Sequence, residues 1–164
     1  MKLVRIFFLL LFCNFQGFGQ QTIEEILKQF NTENVPYVEC IDLAKIDRVV
    51  LLDAREKEEF NVSHLKQAVW VGFKTFEPKT VISKIKDKNA HIVVYCSIGV
   101  RSEDIAEILM KVGYTHVQNL YGGIFEWKNQ GYPVFDTHGN MTNKVHAFGK
   151  QWEKFLTNGD KVYR

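Results

Sequence analysis

Apolar residues change their spacing several times along this chain, and each change marks an element. In TIEEILKQF (22–30), Ile23, Ile26, Leu27 and Phe30 fall on one helical face, and Thr22 ahead of Glu24 and Glu25 is a start signal. RVVLL (48–52) is a short β-branched and apolar run, the pattern of a buried strand, and it stops at Asp53. AVWV (68–71) reads as another strand. PKTVISKIK (78–86) sets Val81, Ile82 and Ile85 at helical spacing, with Pro78 near the start. The clearest strand is IVVY (92–95). After a loop over 96–100, residues 101–110 put Ile105, Ile108 and Leu109 on one helical face, and Gly113 is a natural stop. Residues 116–120 form a further strand. Gly122-Gly123 breaks the chain, and 124–129 resumes as a short helix that ends at Gly131 and Pro133. Strands separated by helices predict an α/β fold, with a parallel sheet and helices on both faces.

The two ends follow other patterns. Beyond Asp136 a polar, turn-rich stretch precedes Val145, Phe148, Trp152, Phe155 and Leu156, which recur at helical spacings. This predicts a C-terminal extension over 136–164 whose amphipathic helix packs back on the domain; a partner-binding helix is the competing reading. At the other end, Lys2 and Arg5 precede an unbroken apolar run over 6–12, and Gly17 and Gly19 supply the small residues of a cleavage site. Residues 1–19 thus read as a secretory signal peptide cut after Gly19, which predicts an exported protein, periplasmic or secreted. The run is short for a retained membrane anchor. A lipid-bearing Cys13 is disfavoured by bulky Phe12, where such signals carry a small residue. The plan is a signal over 1–19, one domain over 20–135 and the extension.

Charge narrows the partners. The chain has 21 basic and 19 acidic residues, and two of the basic ones, Lys2 and Arg5, lie in the signal. The remainder balances, 19 against 19, so neither nucleic acid nor an anionic membrane is indicated. Of the three cysteines, Cys40 and Cys96 lie outside the signal. A bridge between them is open in an oxidising compartment, but sequence does not set their distance. There is no Cys-x-x-Cys, and His64, His91, His116, His138 and His146 lack metal-ligand spacing. No metal or cofactor is expected.

The chemistry concentrates in VVYCSIGVRS (93–102). Cys96 directly follows the buried strand, and Arg101 opens the next helix. Ligands bind at the carboxyl ends of parallel strands. There the following helix offers free N–H groups and its positive dipole end. An anionic sulfur is favoured at the centre of such a loop, and Gly99 lets the loop curl so that amides point inward. The competing reading makes Cys96 a small buried apolar residue at a strand end; Gly99 and Arg101 at this spacing favour the reactive one.

The segment Cys96-Ser97-Ile98-Gly99-Val100-Arg101-Ser102 resembles the active-site loop of the rhodanese family, Cys-x-x-Gly-x-Arg. Asp53-Ala54-Arg55-Glu56-Lys57-Glu58-Glu59-Phe60 resembles the family's D-x-R-x-x-x-E-[YF] segment. Residues 63–68 resemble its G-H-I-x-G-A segment, and 120–127 its L-x-G-G-x-x-x-W segment. The order and spacing agree over about residues 36–134. Ser63 and Gln67 stand where the family carries glycines, so a local change of turn is expected there.

The resemblance implies a five-stranded parallel sheet flanked by helices and a sulfurtransferase that works through a persulfide on Cys96. The donor would be an anion such as thiosulfate. The acceptor would be a thiophile, small or carried on a protein. The loop amides of Ser97, Ile98, Gly99, Val100 and Arg101 would hold the persulfide, Arg101 would also help fix the loop and its charge, and Arg55 would face the pocket and steer the donor. Asp53 and His64 read as structural, and Gly122 and Gly123 as serving backbone geometry. Cysteine phosphatases of related shape place five residues between Cys and Arg. Here four intervene, a loop sized for one sulfur rather than a tetrahedral phosphate.

Overall fold

The computed structural model describes residues 21–163. The signal-peptide reading of 1–19 and the lipidation reading of Cys13 lie outside the described residues. The chain opens with α1 (Ile23–Phe30), capped as its sequence predicts: Thr22 Oγ1 accepts from Glu25 N–H at 3.2 Å, and Glu25 Oε2 accepts from Thr22 N–H at 2.8 Å. There follow β1 (Tyr37–Val38), α2 (Cys40–Leu43), β2 (Val50–Asp53), α3 (Lys57–Val62), β3 (Val69–Trp70), α4 (Pro78–Lys84), β4 (Ile92–Tyr95), α5 (Val100–Lys111), β5 (Val117–Leu120) and α6 (Gly123–Asn129). The first five strands form one parallel sheet in the order β1-β5-β4-β2-β3. The expected five-stranded parallel sheet flanked by helices is therefore the observed one.

β4 lies at the centre, and all four of its residues are buried. Ile92 and Val94 face one apolar cluster, with Leu52, Ile105, Leu109 and Val117. Val93 and Tyr95 face the other, with Leu120, Ile124 and Phe125. Burial on both faces explains why IVVY reads as continuous apolar sequence rather than as alternation. Several elements, β1, α2 and α3 among them, had no legible pattern. β1 has two residues. In α3 the one buried residue is Glu59, so no apolar stripe marks that helix.

Gln67 sits at φ +61°, the left-handed region, so that turn takes a glycine's conformation without a glycine. Ser63, by contrast, is extended at φ −169°.

The C-terminal extension departs from expectation: its described residues hold no amphipathic helix. After β6 (Val134–Phe135) and β7 (Met141–Thr142), Val145 lies in β8 (Lys144–His146), which pairs in parallel with β9 (Asp160–Val162). Between them only Glu153–Phe155 forms a 3-10 turn. Phe148 at φ +63°, followed by Gly149, prevents a continuous helix. The helical spacing of the apolar residues records their burial by other means, since Val145 and Leu156 are fully buried in the cluster with Ile124 and Phe125. The extension does pack back on the domain.

Among the described residues, no helix is long and apolar enough to cross a membrane, and Cys40 and Cys96 are free thiols.

Candidate active site

Cys96 leaves the carboxyl end of β4, and Gly99 caps α5. Gly99 takes φ +108°, which few side chains tolerate, and this turns its N–H onto Cys96 Sγ at 3.1 Å. Ser102 Oγ lies 3.5 Å from the same sulfur and 2.7 Å from Asn119 Oδ1, so its single proton serves one of two acceptors. Asn119 Nδ2 donates to Gly99 O at 2.8 Å and to Glu103 Oε2 at 3.0 Å, and Asn31 Nδ2 adds a bond to Gly99 O at 3.0 Å. The loop's tip is thus held from two sides.

A third hold comes from α6. Ile124 N–H donates to Cys96 O at 2.9 Å and Phe125 N–H to Ser97 O at 3.1 Å. Gly123 takes φ +56° directly beneath these carbonyls. A Cβ there would stand 2.4 Å from Cys96 O and 2.7 Å from Ser97 C, so only glycine fits. The structure bears out the backbone role expected of this residue.

Arg101 fixes the loop through a partner the sequence did not single out. Its Nη1 and Nη2 donate to Glu59 Oε2 and Oε1 at 2.7 and 2.9 Å, and Nη2 also reaches Ser97 Oγ at 3.0 Å. Ser97 Oγ in turn donates to Glu59 Oε1 at 3.1 Å. Burial pushes the Glu59 carboxyl up. The hydrogen bonds and charge of Arg101, together with the charge of Arg55 and the Glu56 N–H, outweigh that and hold it below the ordinary glutamate range. α3 follows β2, whose Asp53 is in register with Tyr95 of β4, so Glu59 and the loop share one sheet edge. The signal for Glu59 was the carboxylate inside the D-x-R-x-x-x-E segment, read beside that convergence.

Arg55 does not face the pocket. It is fully buried, bonded to Asp53 Oδ2 by Nη2 at 2.6 Å and to Asp53 Oδ1 by Nε at 3.0 Å. Nη2 also donates to Ser63 O at 2.6 Å. The expected donor-steering role is replaced by an internal ion pair that ties β2 to the turn after α3. Asp53 is structural, as its sequence position implied. So is His64, whose ring stacks on Phe60 with centroids 4.1 Å apart.

Cys96, itself buried, is one of the residues that line a pocket of about 150 Å³. Cys96, Ser97, Ile98, Val100 and Arg101 form its floor. Phe30 from the end of α1, and Phe148 and Trp152 from the extension, form its upper wall. The Arg101 guanidinium carbon lies 4.5 Å from the Phe148 ring centroid. Phe148 N–H donates to His146 Nδ1 at 3.1 Å. Burial, helped by the charges of Arg55 and Arg101 against that of Glu59, lowers the His146 pKa and favours the neutral, accepting ring. No group of three or more His, Cys, Asp or Glu that could hold a metal occurs among the described residues.

The family model described as the rhodanese-like domain matches residues 37–130. The chain belongs to the rhodanese-like domain family. Thiosulfate sulfurtransferase GlpE of Coxiella burnetii is 26% identical over 108 residues, covering 66% of this chain and 97% of that protein. The tRNA uridine(34) hydroxylase of Sodalis glossinidius is 31% identical over 123 residues, covering 68% of this chain but only 35% of that protein. Among solved structures, a rhodanese-related protein of Thermoplasma volcanium aligns with TM-score 0.53 and 25% identity, over 60% of this chain and 96% of that one. Thiosulfate sulfurtransferase of Pseudomonas aeruginosa aligns with TM-score 0.60 at 19% identity, over 82% of this chain and 25% of that one, a likeness of fold alone. In this rhodanese-like domain the Cys96 loop and Glu59 lie inside the matched span. Phe30, Phe148 and Trp152 lie outside it.

Proposed function

We propose that this rhodanese-like domain is a sulfurtransferase that carries sulfane sulfur as a persulfide on Cys96. The observation that carries the reading is the Gly99 N–H, 3.1 Å from the sulfur of Cys96, a residue at the rim of the central strand that lines a pocket. A backbone donor in that position stabilises negative charge on a thiolate and on the persulfide that follows.

The Cys96 thiolate attacks the outer sulfur of a donor such as thiosulfate. A Cys96 S–S bond forms, the donor's S–S bond breaks, and sulfite leaves with the electron pair. A thiophilic acceptor then removes the outer sulfur and returns the thiolate. Arg101, clamped by Glu59, keeps the loop curled through both steps. The pattern of residues 1–19 supports an exported site of action, which cell fractionation with antibody detection would test.

Mass spectrometry after incubation with thiosulfate or inorganic polysulfide tests the chemistry. Wild type gains about 32 Da, one sulfur, and Cys96→Ala gains none at that position. Thiocyanate release on adding cyanide then falls by at least about a thousandfold in the variant. Equal loading of the two proteins, or no loading of either, overturns the reading.

A further inference from the structure

The pocket above Cys96 is unlike a site for a highly charged ligand. Its upper wall is Phe30, Phe148 and Trp152, and the floor adds Ile98 and Val100, so nearly all the surface it presents is carbon. Among the described residues, the one cation in the lining is Arg101. Both of its terminal nitrogens are already bonded to Glu59, at 2.7 and 2.9 Å, so the pair is neutral as a unit. A ligand with several charges would leave water without gaining a free counter-charge. Phe30 and Phe148 are meanwhile 58% and 46% exposed, two large rings left in water at the mouth. Phe148 is held there at φ +63°, a strained conformation for a side-chain-bearing residue, with its N–H fixed on His146. Exposed aromatic rings grouped around a reactive sulfur mark a binding surface for apolar groups.

We propose that the thiol exchanging sulfur with Cys96 carries an apolar body, aryl or alkyl, selected by Phe30, Phe148 and Trp152. This rests on the sulfurtransferase reading and names its acceptor class. The incoming thiol R–SH passes its proton to the persulfide anion Cys96–S–S⁻, and the thiolate R–S⁻ attacks the outer sulfur of the resulting Cys96–S–SH. The R–S bond to that sulfur forms, the Cys96 S–S bond breaks, and the electron pair leaves on the Cys96 thiolate. The proton stays on the transferred sulfur, giving R–S–SH, and no external oxidant or reductant takes part. The apolar wall likewise gives doubly charged thiosulfate little to bind, so it serves as a loading reagent only at high concentration.

The test loads the full chain with saturating thiosulfate and follows single-turnover discharge by phenylmethanethiol and by mercaptosuccinate. Each rate is divided by that thiol's rate with free cysteine persulfide, which removes intrinsic reactivity. The corrected preference for the apolar thiol is about tenfold or more in wild type. It falls by about tenfold in Phe148→Ala and by a smaller factor in Phe30→Ala. Phe30 is more than half exposed and Phe148 nearly half, and neither belongs to the buried core, so the variants retain the fold, which circular dichroism checks. A corrected preference near one, or one unchanged in Phe148→Ala, overturns the proposal while leaving sulfur transfer intact. Failure of Cys96 to load overturns the sulfurtransferase reading and this proposal with it.

Discussion

The floor and the upper wall of the pocket differ in how their groups are satisfied. Around Cys96, polar groups are paired inside the protein: Gly99 N–H with Sγ, Asn119 and Asn31 with Gly99 O, α6 amides with the Cys96 and Ser97 carbonyls, and Glu59 with Arg101. The upper wall is aromatic, partly in water, and drawn from the two ends of the described chain. The floor lies within the span that matches the family, whereas the aromatic wall lies outside it. A reaction common to a family needs fixed dipoles around one atom. A choice among substrates needs only a surface that excludes the wrong ones. Floor variants should therefore change the rate with every acceptor, and wall variants should change the ranking of acceptors.

The largest effect expected from disturbing the floor without touching the sulfur is that of Gly123→Ala. The added methyl must displace the Cys96 and Ser97 backbone, at 2.4 to 2.7 Å, and φ +56° is itself unfavourable. Stability should fall by about 2–4 kcal/mol, and persulfide transfer by about a hundredfold with both apolar and charged thiols. A variant with normal transfer would show that α6 does not fix the loop.

Glu59→Gln separates the clamp from the charge it neutralises. Breaking this ion pair should cost about 3 kcal/mol at neutral pH, and transfer should fall about tenfold. The folded Glu59 carboxyl lies below its ordinary value, so its contribution is complete at neutral pH. That contribution begins to fall as pH drops past the ordinary value and is gone below the folded one. The stability gap between wild type and Glu59→Gln therefore narrows on acidification, as denaturant titrations at several pH values would show. A gap that widens as pH falls breaks the clamp assignment.

Arg55→Met gives the smallest effect on catalysis. It strands the buried Asp53 carboxylate and costs about 3–5 kcal/mol, yet the concentration of thiosulfate needed for half-maximal loading should stay within about twofold. A many-fold rise in that concentration, measured on protein shown to be folded, would restore Arg55 to the donor site.

The sequence specified what depends on local periodicity and local chemistry. IVVY, the capped α1 and the α5 stripe were legible because a buried face repeats along the chain. Cys96, Gly99 and Arg101 were legible because one short loop holds all three. The tertiary structure decided which distant groups meet. Glu59 reaches Arg101 because β2 and β4 are neighbours in register. Arg55 is spent on Asp53, two residues away, instead of on a donor. The extension's apolar residues are buried through a strand and a 3-10 turn, with Phe148 set over the pocket, and not through a helix. Periodicity records that a residue leaves water, but it does not record against what, since burial is non-directional and partners are set by the packing of whole elements.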